Sequence, residues 1–152
     1  MKAKLISESL HNFEKKSNPL NSLNVGKKAL ITNWLDEMHV PNYTINDDYT
    51  IDIHNNTSVD LDNKNLKELP YFIQFNHVNG YFEIGNNKLT SLRGCPKTVT
   101  GYFSCEGNQL TSLEGCPTKV DGEFWCNDNK IEFSIYDVKK YCKTISDYRI
   151  IT

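Results

Sequence analysis

Apolar residues fall into several regimes along the chain. Residues 1–16 carry Leu5, Ile6, Leu10 and Phe13 at roughly helical spacing, which suggests a short docking helix, and a polar Ser17-Asn18-Pro19 break follows. Val25, Ala29, Leu30, Trp34, Leu35 and Met38 then form a second helical stripe, with Asn24 placed to cap it and Pro41 to stop it. The alternation over residues 43–53 predicts a β-hairpin turning at Asp47-Asp48. From Val59 to Ile131 the apolar positions come in short alternating runs closed by Asn, Gly and Pro. Helical spacing returns at Ile135, Val138, Cys142 and Ile145, behind a capping-box start at Ser134-Ile-Tyr-Asp. The expected fold is α/β. A block of short strands, residues 57–131, lies between an N-terminal helix plus hairpin, residues 1–56, and a C-terminal helix and tail, residues 132–152.

The strand block is a repeat. Residues 78–98 and 99–119 are identical at 12 of 21 positions without a gap, and a third copy starts at Val120 and then diverges. The aligned columns are Val78/Val99/Val120, Gly80/Gly101/Gly122, Phe82/Phe103/Phe124, Ile84/Cys105/Cys126, Asn87/Asn108/Asn129 and Leu89/Leu110/Ile131. An irregular first copy fits at an offset of 23, with Val59, Leu61, Leu66 and Leu69 matching Phe82, Ile84, Leu89 and Leu92. Repeats of this length stack into solenoids, because one unit cannot bury its own apolar face. Alternation turns Phe103 and Cys105 inward on a strand, Asn108 marks the turn, and Leu110 and Leu113 fill the interior on the return path.

Phe-x-Cys-x-x-Asn-x-Leu-x-x-Leu, together with N-x-L-T-S-L-x-G-C-P at residues 87–96 and 108–117, resembles the leucine-rich repeat. The similarity is greatest to small phage and bacterial repeat proteins and more distant to the short repeats of bacterial effectors. In the effectors a Leu-Pro pair commonly takes the turn occupied here by Gly94-Cys95-Pro96 and Gly115-Cys116-Pro117. The resemblance covers roughly residues 42–131 and implies a short leucine-rich repeat solenoid with a parallel sheet. It implies no particular reaction. Should the gene belong to a phage, it makes a host protein the expected partner, inhibited or recruited by occupancy of its surface. Terminal repeats need covers; the N-terminal helix with its hairpin and the C-terminal helix are the expected ones.

Composition narrows the function. With 17 Lys+Arg against 19 Asp+Glu the net charge is −2, and residues 1–56, 57–131 and 132–152 carry −1, −2 and +1. Such balance excludes the clustered positive charge that nucleic acid requires. No run of 18 apolar residues and no signal-like start occurs, so a cytoplasmic protein without a membrane partner is expected. Five cysteines without a C-x-x-C argue against a disulfide framework, and four of them fall in repeat columns at spacings wider than zinc ligand pairs. The four histidines are dispersed, and the glycines recur with the repeat rather than forming a phosphate loop. The expectation is therefore no catalytic residue, no metal and no cofactor.

The strand positions facing away from the core hold the candidate site. Alternation places Tyr81 and Glu83, then Tyr102, Ser104 and Glu106, then Glu123, Trp125 and Asn127 on an outer, concave face. Exposed Trp and Tyr among carboxylates are the composition of a protein-binding hot spot that favours a partner with a basic surface. The alternatives are self-association within a larger assembly, through this patch or an open edge strand, and an enzyme of unfamiliar arrangement.

Overall fold

A computed structural model of the chain describes residues 20–152, so the docking helix expected within residues 1–16 lies outside the described residues. Helix α1, Leu20–Glu37, begins a turn earlier than the expected cap at Asn24, which is an interior helix position. Leu30, Ile31, Trp34 and Leu35 enter the core, while Ala29 faces outward. The helix is ended by His39 in the left-handed region (φ 58°) and by Val40, whose N–H donates to the Leu35 carbonyl at 2.9 Å, one residue ahead of Pro41. The hairpin follows as β1, Tyr43–Ile45, and β2, Ile51–Ile53, paired antiparallel with Tyr43 opposite Ile53. At its turn, Asp48 accepts from the Thr50 N–H and hydroxyl, and the Lys27 ammonium sits 4.3 Å from the Tyr49 ring centre, tying α1 to the turn.

The remainder is a parallel solenoid. Its strands are β3, Val59–Asp60; β4, Phe75–Val78; β5, Phe82–Glu83; β6, Thr98–Val99; β7, Phe103–Ser104; β8, Lys119–Val120; and β9, Phe124–Trp125. Helix α2, Ile135–Tyr141, and β10, Ile150–Ile151, complete the chain. One sheet runs β1-β2-β4-β6-β8 and the other β10-β9-β7-β5-β3, and every pairing except β1 with β2 is parallel. The 21-residue register holds in both, with His77-Val78 beside Thr98-Val99 and Phe82-Glu83 beside Phe103-Ser104. One strand per repeat and a single sheet were expected from the Phe columns; the Val columns build a second sheet. The corner between the two is glycine because the coils touch there: a Cβ on Gly122 would fall 2.7 Å from the Gly101 carbonyl, which accepts the Gly122 N–H at 2.9 Å.

The core lies between the sheets and the return path. Phe75, Phe82, Phe103 and Phe124 are fully buried, Phe82 and Phe103 lie parallel at 6.0 Å, and Leu61, Ile84, Leu89, Leu92, Leu110 and Leu113 continue the packing. The last coil departs from its register: Ile131 is 44% exposed, and Phe133 is buried in the core instead.

Asparagine closes the three coils after the first. Asn108 donates to the carbonyls of Ile84, Cys105 and Glu106 at 3.0–3.1 Å and accepts the Leu89 N–H at 3.0 Å. Asn87 makes the same set to Leu61, Ile84 and Gly85 and from Leu66, and Asn129 to Cys105, Cys126 and Asn127 and from Leu110. Each amide satisfies its own turn and also bonds the coil before it, serving buried backbone groups that have no water. The residue before each ladder position, Asn86, Gly107 and Asp128, is left-handed at φ 50–61°, and Asn63 matches them in the first coil. Asn, Asp and Gly are the residues that tolerate this conformation.

Downstream, Ser134 and Asp137 form the expected capping box on α2, but the helix ends at Tyr141, so Cys142 and Ile145, expected on its stripe, follow it; both are buried with Val138, while Ile135 is half-buried. Strand β10 then pairs in parallel with β9, and the Arg149 guanidinium donates to the Asp121 carbonyl. No helix among the described residues is long and apolar enough to cross a membrane.

Candidate functional site

Parallel register sorts the outer face of the second sheet into rows that run across the coils. The first reads Ser58, Tyr81, Tyr102, Glu123; the second Asp60, Glu83, Ser104, Trp125, Ile151; the third Asp62, Gly85, Glu106, Asn127. Register puts Tyr81, Glu83, Tyr102, Ser104, Glu106, Glu123, Trp125 and Asn127 in neighbouring positions of these rows. Their exposure is uneven. Tyr81 is 47% exposed, whereas Ser104, expected to be accessible, is 5% exposed, a small side chain between Glu83 and Trp125 in its row.

The first row is built on ring stacking. Tyr81 and Tyr102 lie with centroids 4.4 Å apart and planes 19° from parallel, the offset geometry that aromatic quadrupoles favour. Gly101 makes room for it: a Cβ there would meet Tyr81 Cδ1 at 2.1 Å. The Tyr102 hydroxyl donates to Glu83 Oε1, and burial, followed by that bond and the Glu83 charge, pushes the phenol well above its ordinary value. Tyr102 therefore stays a neutral donor. Trp125 Nε1 donates to Glu123 Oε2 at 2.9 Å, which fixes the indole against the end of the first row.

Acidic side chains fill the other rows. Asp60 Oδ1 accepts the Asp62 N–H at 3.0 Å, and Asp62 Oδ1 accepts the Gly85 N–H. Burial, partly offset by the Gly85 N–H and reinforced by Asp60, raises the Asp62 carboxyl above the usual range. No lysine or arginine among the described residues is within ion-pair distance of Asp60, Asp62, Glu83 or Glu106; the ion pairs found are Lys119 with Asp121 and Lys139 with Asp147. Asp60 and Asp62 escaped the sequence expectation, although the offset of 23 that aligns Val59 with Phe82 places both in these rows. Ile151 escaped it because β10 lies outside the repeat.

Elsewhere the chemistry is enclosed or internally satisfied. All five cysteines are free and buried, and burial pushes the Cys116 and Cys126 thiols up to about 12. Asp52, on the first sheet, is held below the ordinary carboxyl range: burial would raise it, but donors from Asn46, Asn76 and the His77 N–H outweigh burial. No group of three His, Cys, Asp or Glu side chains among the described residues is arranged to hold a metal ion. A groove of about 540 Å³ on the return path is lined by Thr90, Ser91, Arg93, Lys97, Ser112 and Glu114 among others, and shares no residue with the tyrosine face. No protein-family model matches the chain, and neither a curated protein nor a solved structure matches it.

Proposed function

We propose that the chain is a non-catalytic protein-binding module of the small leucine-rich repeat type, with helical covers at both ends. It acts through the outer face of its second sheet by steric occupancy of a partner surface. The observation that carries this reading is the Tyr81–Tyr102 stack beside Trp125, half-exposed aromatic area on a sheet, surrounded by carboxylates that form no ion pair among the described residues. Rigid aromatics bind at low entropic cost and dominate hot spots. Unpaired carboxylates around them favour a partner with a basic surface and disfavour acidic ones. The repeat's resemblance to phage and bacterial proteins supports a host protein as the partner, inhibited or recruited.

Affinity capture from the natural host lysate tests the reading, with wild type and a Tyr102→Ala/Trp125→Ala double variant as baits. Loss of a captured protein with the double variant is expected, and identical captured sets from both baits would refute the face. A concentration-dependent dimer abolished by Trp125→Ala would instead identify a second copy of the chain as the occupant.

A further inference from the structure

We infer that the partner presents an arginine side chain, which stacks on the open face of Tyr81 above Ser58 and pairs with Asp60. This rests on the reading of the sheet face as a protein-binding surface and specifies what one end of that surface takes. The tyrosine row is finished on one side and open on the other. One face of Tyr81 rests on Tyr102 at 4.4 Å, with the ring leaning over Gly101. The preceding position in the row is Ser58, whose Oγ accepts the Tyr81 N–H at 3.4 Å and whose side chain is too short to cover the second ring face. Tyr81 is accordingly 47% exposed, and its hydroxyl has no hydrogen-bond partner among the described residues.

Strand β3 is the edge of its sheet among the described residues, so a planar group over Ser58 can stack on the ring at the strand spacing of about 4.8 Å. Asp60 stands two residues along from Ser58, exposed, with one oxygen on the Asp62 N–H and no ion pair among the described residues. A cation over Ser58 would thus meet an aromatic face on one side and a carboxylate beside it, while relieving the repulsion between Asp60 and Asp62. Arginine fits better than lysine. Its guanidinium is flat, stacks on aromatic rings, is weakly hydrated and presents a fork of N–H donors to a carboxylate, whereas an ammonium is a strongly hydrated point charge without a plane.

The test is a ¹H–¹⁵N NMR titration of the full chain with acetyl-Gly-Arg-Gly-amide, with the lysine and citrulline peptides as comparisons. Saturable shifts centred on Ser58, Asp60 and Tyr81 are expected, with arginine binding about fivefold more tightly than lysine. Citrulline, planar but neutral, should give no saturable shift. Ser58→Phe, whose ring would occupy the opening, and Asp60→Asn should each weaken the arginine peptide about fivefold or more while leaving circular dichroism unchanged. Equal response to citrulline, shifts centred away from Tyr81, or undiminished binding by both folded variants would overturn the inference. The two readings fail separately. If capture depends on Tyr102 and Trp125 but the arginine peptide does not bind, the face stands and the arginine slot falls. If the peptide binds as stated but no captured protein depends on those residues, the slot stands and the wider face falls.

Discussion

Replacing Asn108 by alanine should cost far more than its modest size suggests. The side chain is 6% exposed; its two amide hydrogens are shared among three carbonyls of two successive coils, and its oxygen accepts the Leu89 N–H. A typical intramolecular hydrogen bond contributes about 0.5–1.5 kcal/mol net, and a buried donor left unpaired costs about 1–3 kcal/mol. Leu89 N–H would be such a donor, while the three carbonyls keep a second lone pair and lose less. The expected destabilisation is therefore about 3–5 kcal/mol. Urea unfolding followed by far-ultraviolet circular dichroism measures it as a lowered midpoint at an unchanged slope, and Gln109→Ala, exposed and one residue away, is the control. Asn108→Asp adds a sharper contrast: it can accept from Leu89 but sets a carboxylate against three carbonyl oxygens, so it should be at least as damaging as alanine at pH 7. A loss below about 1 kcal/mol for Asn108→Ala, the value of one ordinary bond, would show that the amide ladder does not hold the coils together.

Three further outcomes are expected. Leu110→Ala should lose about 2–5 kcal/mol to an unfilled core site, while Ile131→Ala, in the same repeat column but 44% exposed, should cost well under half as much in the same urea assay. Asp62 has a folded-state pKa above its ordinary value of 3.8, so the wild type loses stability as pH rises through that interval; Asp62→Asn should show a higher urea midpoint at pH 7 and a difference that narrows as pH falls toward 3.8. A variant with no gain at pH 7 would refute that sign. With all five thiols buried and Cys116 and Cys126 pushed up to about 12, iodoacetamide at pH 8 should leave the folded chain unmodified by mass spectrometry and label five cysteines in urea. Rapid labelling of the folded chain would contradict the buried columns.

Much of the architecture is readable from spacing, because a repeat constrains each position several times over. The Phe, Ile/Cys and Asn columns, the hairpin and the capping box each combine a periodic pattern with a residue type that has one obvious use there. The second sheet escaped because Val99 is followed within four residues by Phe103, too short a run to suggest two strands until a glycine corner is placed between them. Ile131 misled because its column is apolar, whereas the last coil has no successor to close over it and turns Phe133 inward instead. The face rows were legible by alternation alone. Depth was not: Ser104 shares the outward direction of Glu83 and Trp125 but lies below their reach. Strand β10 carries no repeat signal, since its two residues are set by what β9 leaves unpaired.

The asparagine ladder separates two kinds of information carried by one chain. Its bonds run to backbone carbonyls and from a backbone N–H, so the ladder itself draws on no outward side chain. The residues at positions 81, 83, 102, 106, 123 and 125 can thus be rewritten as a surface text while the interior grammar stays fixed. Duplication of a 21-residue unit would lengthen that text by one line, about 4.8 Å, with every bond of the new rung already specified by its neighbours. Such a scaffold can follow a changing partner by altering its face or its length, without having to solve its folding problem again.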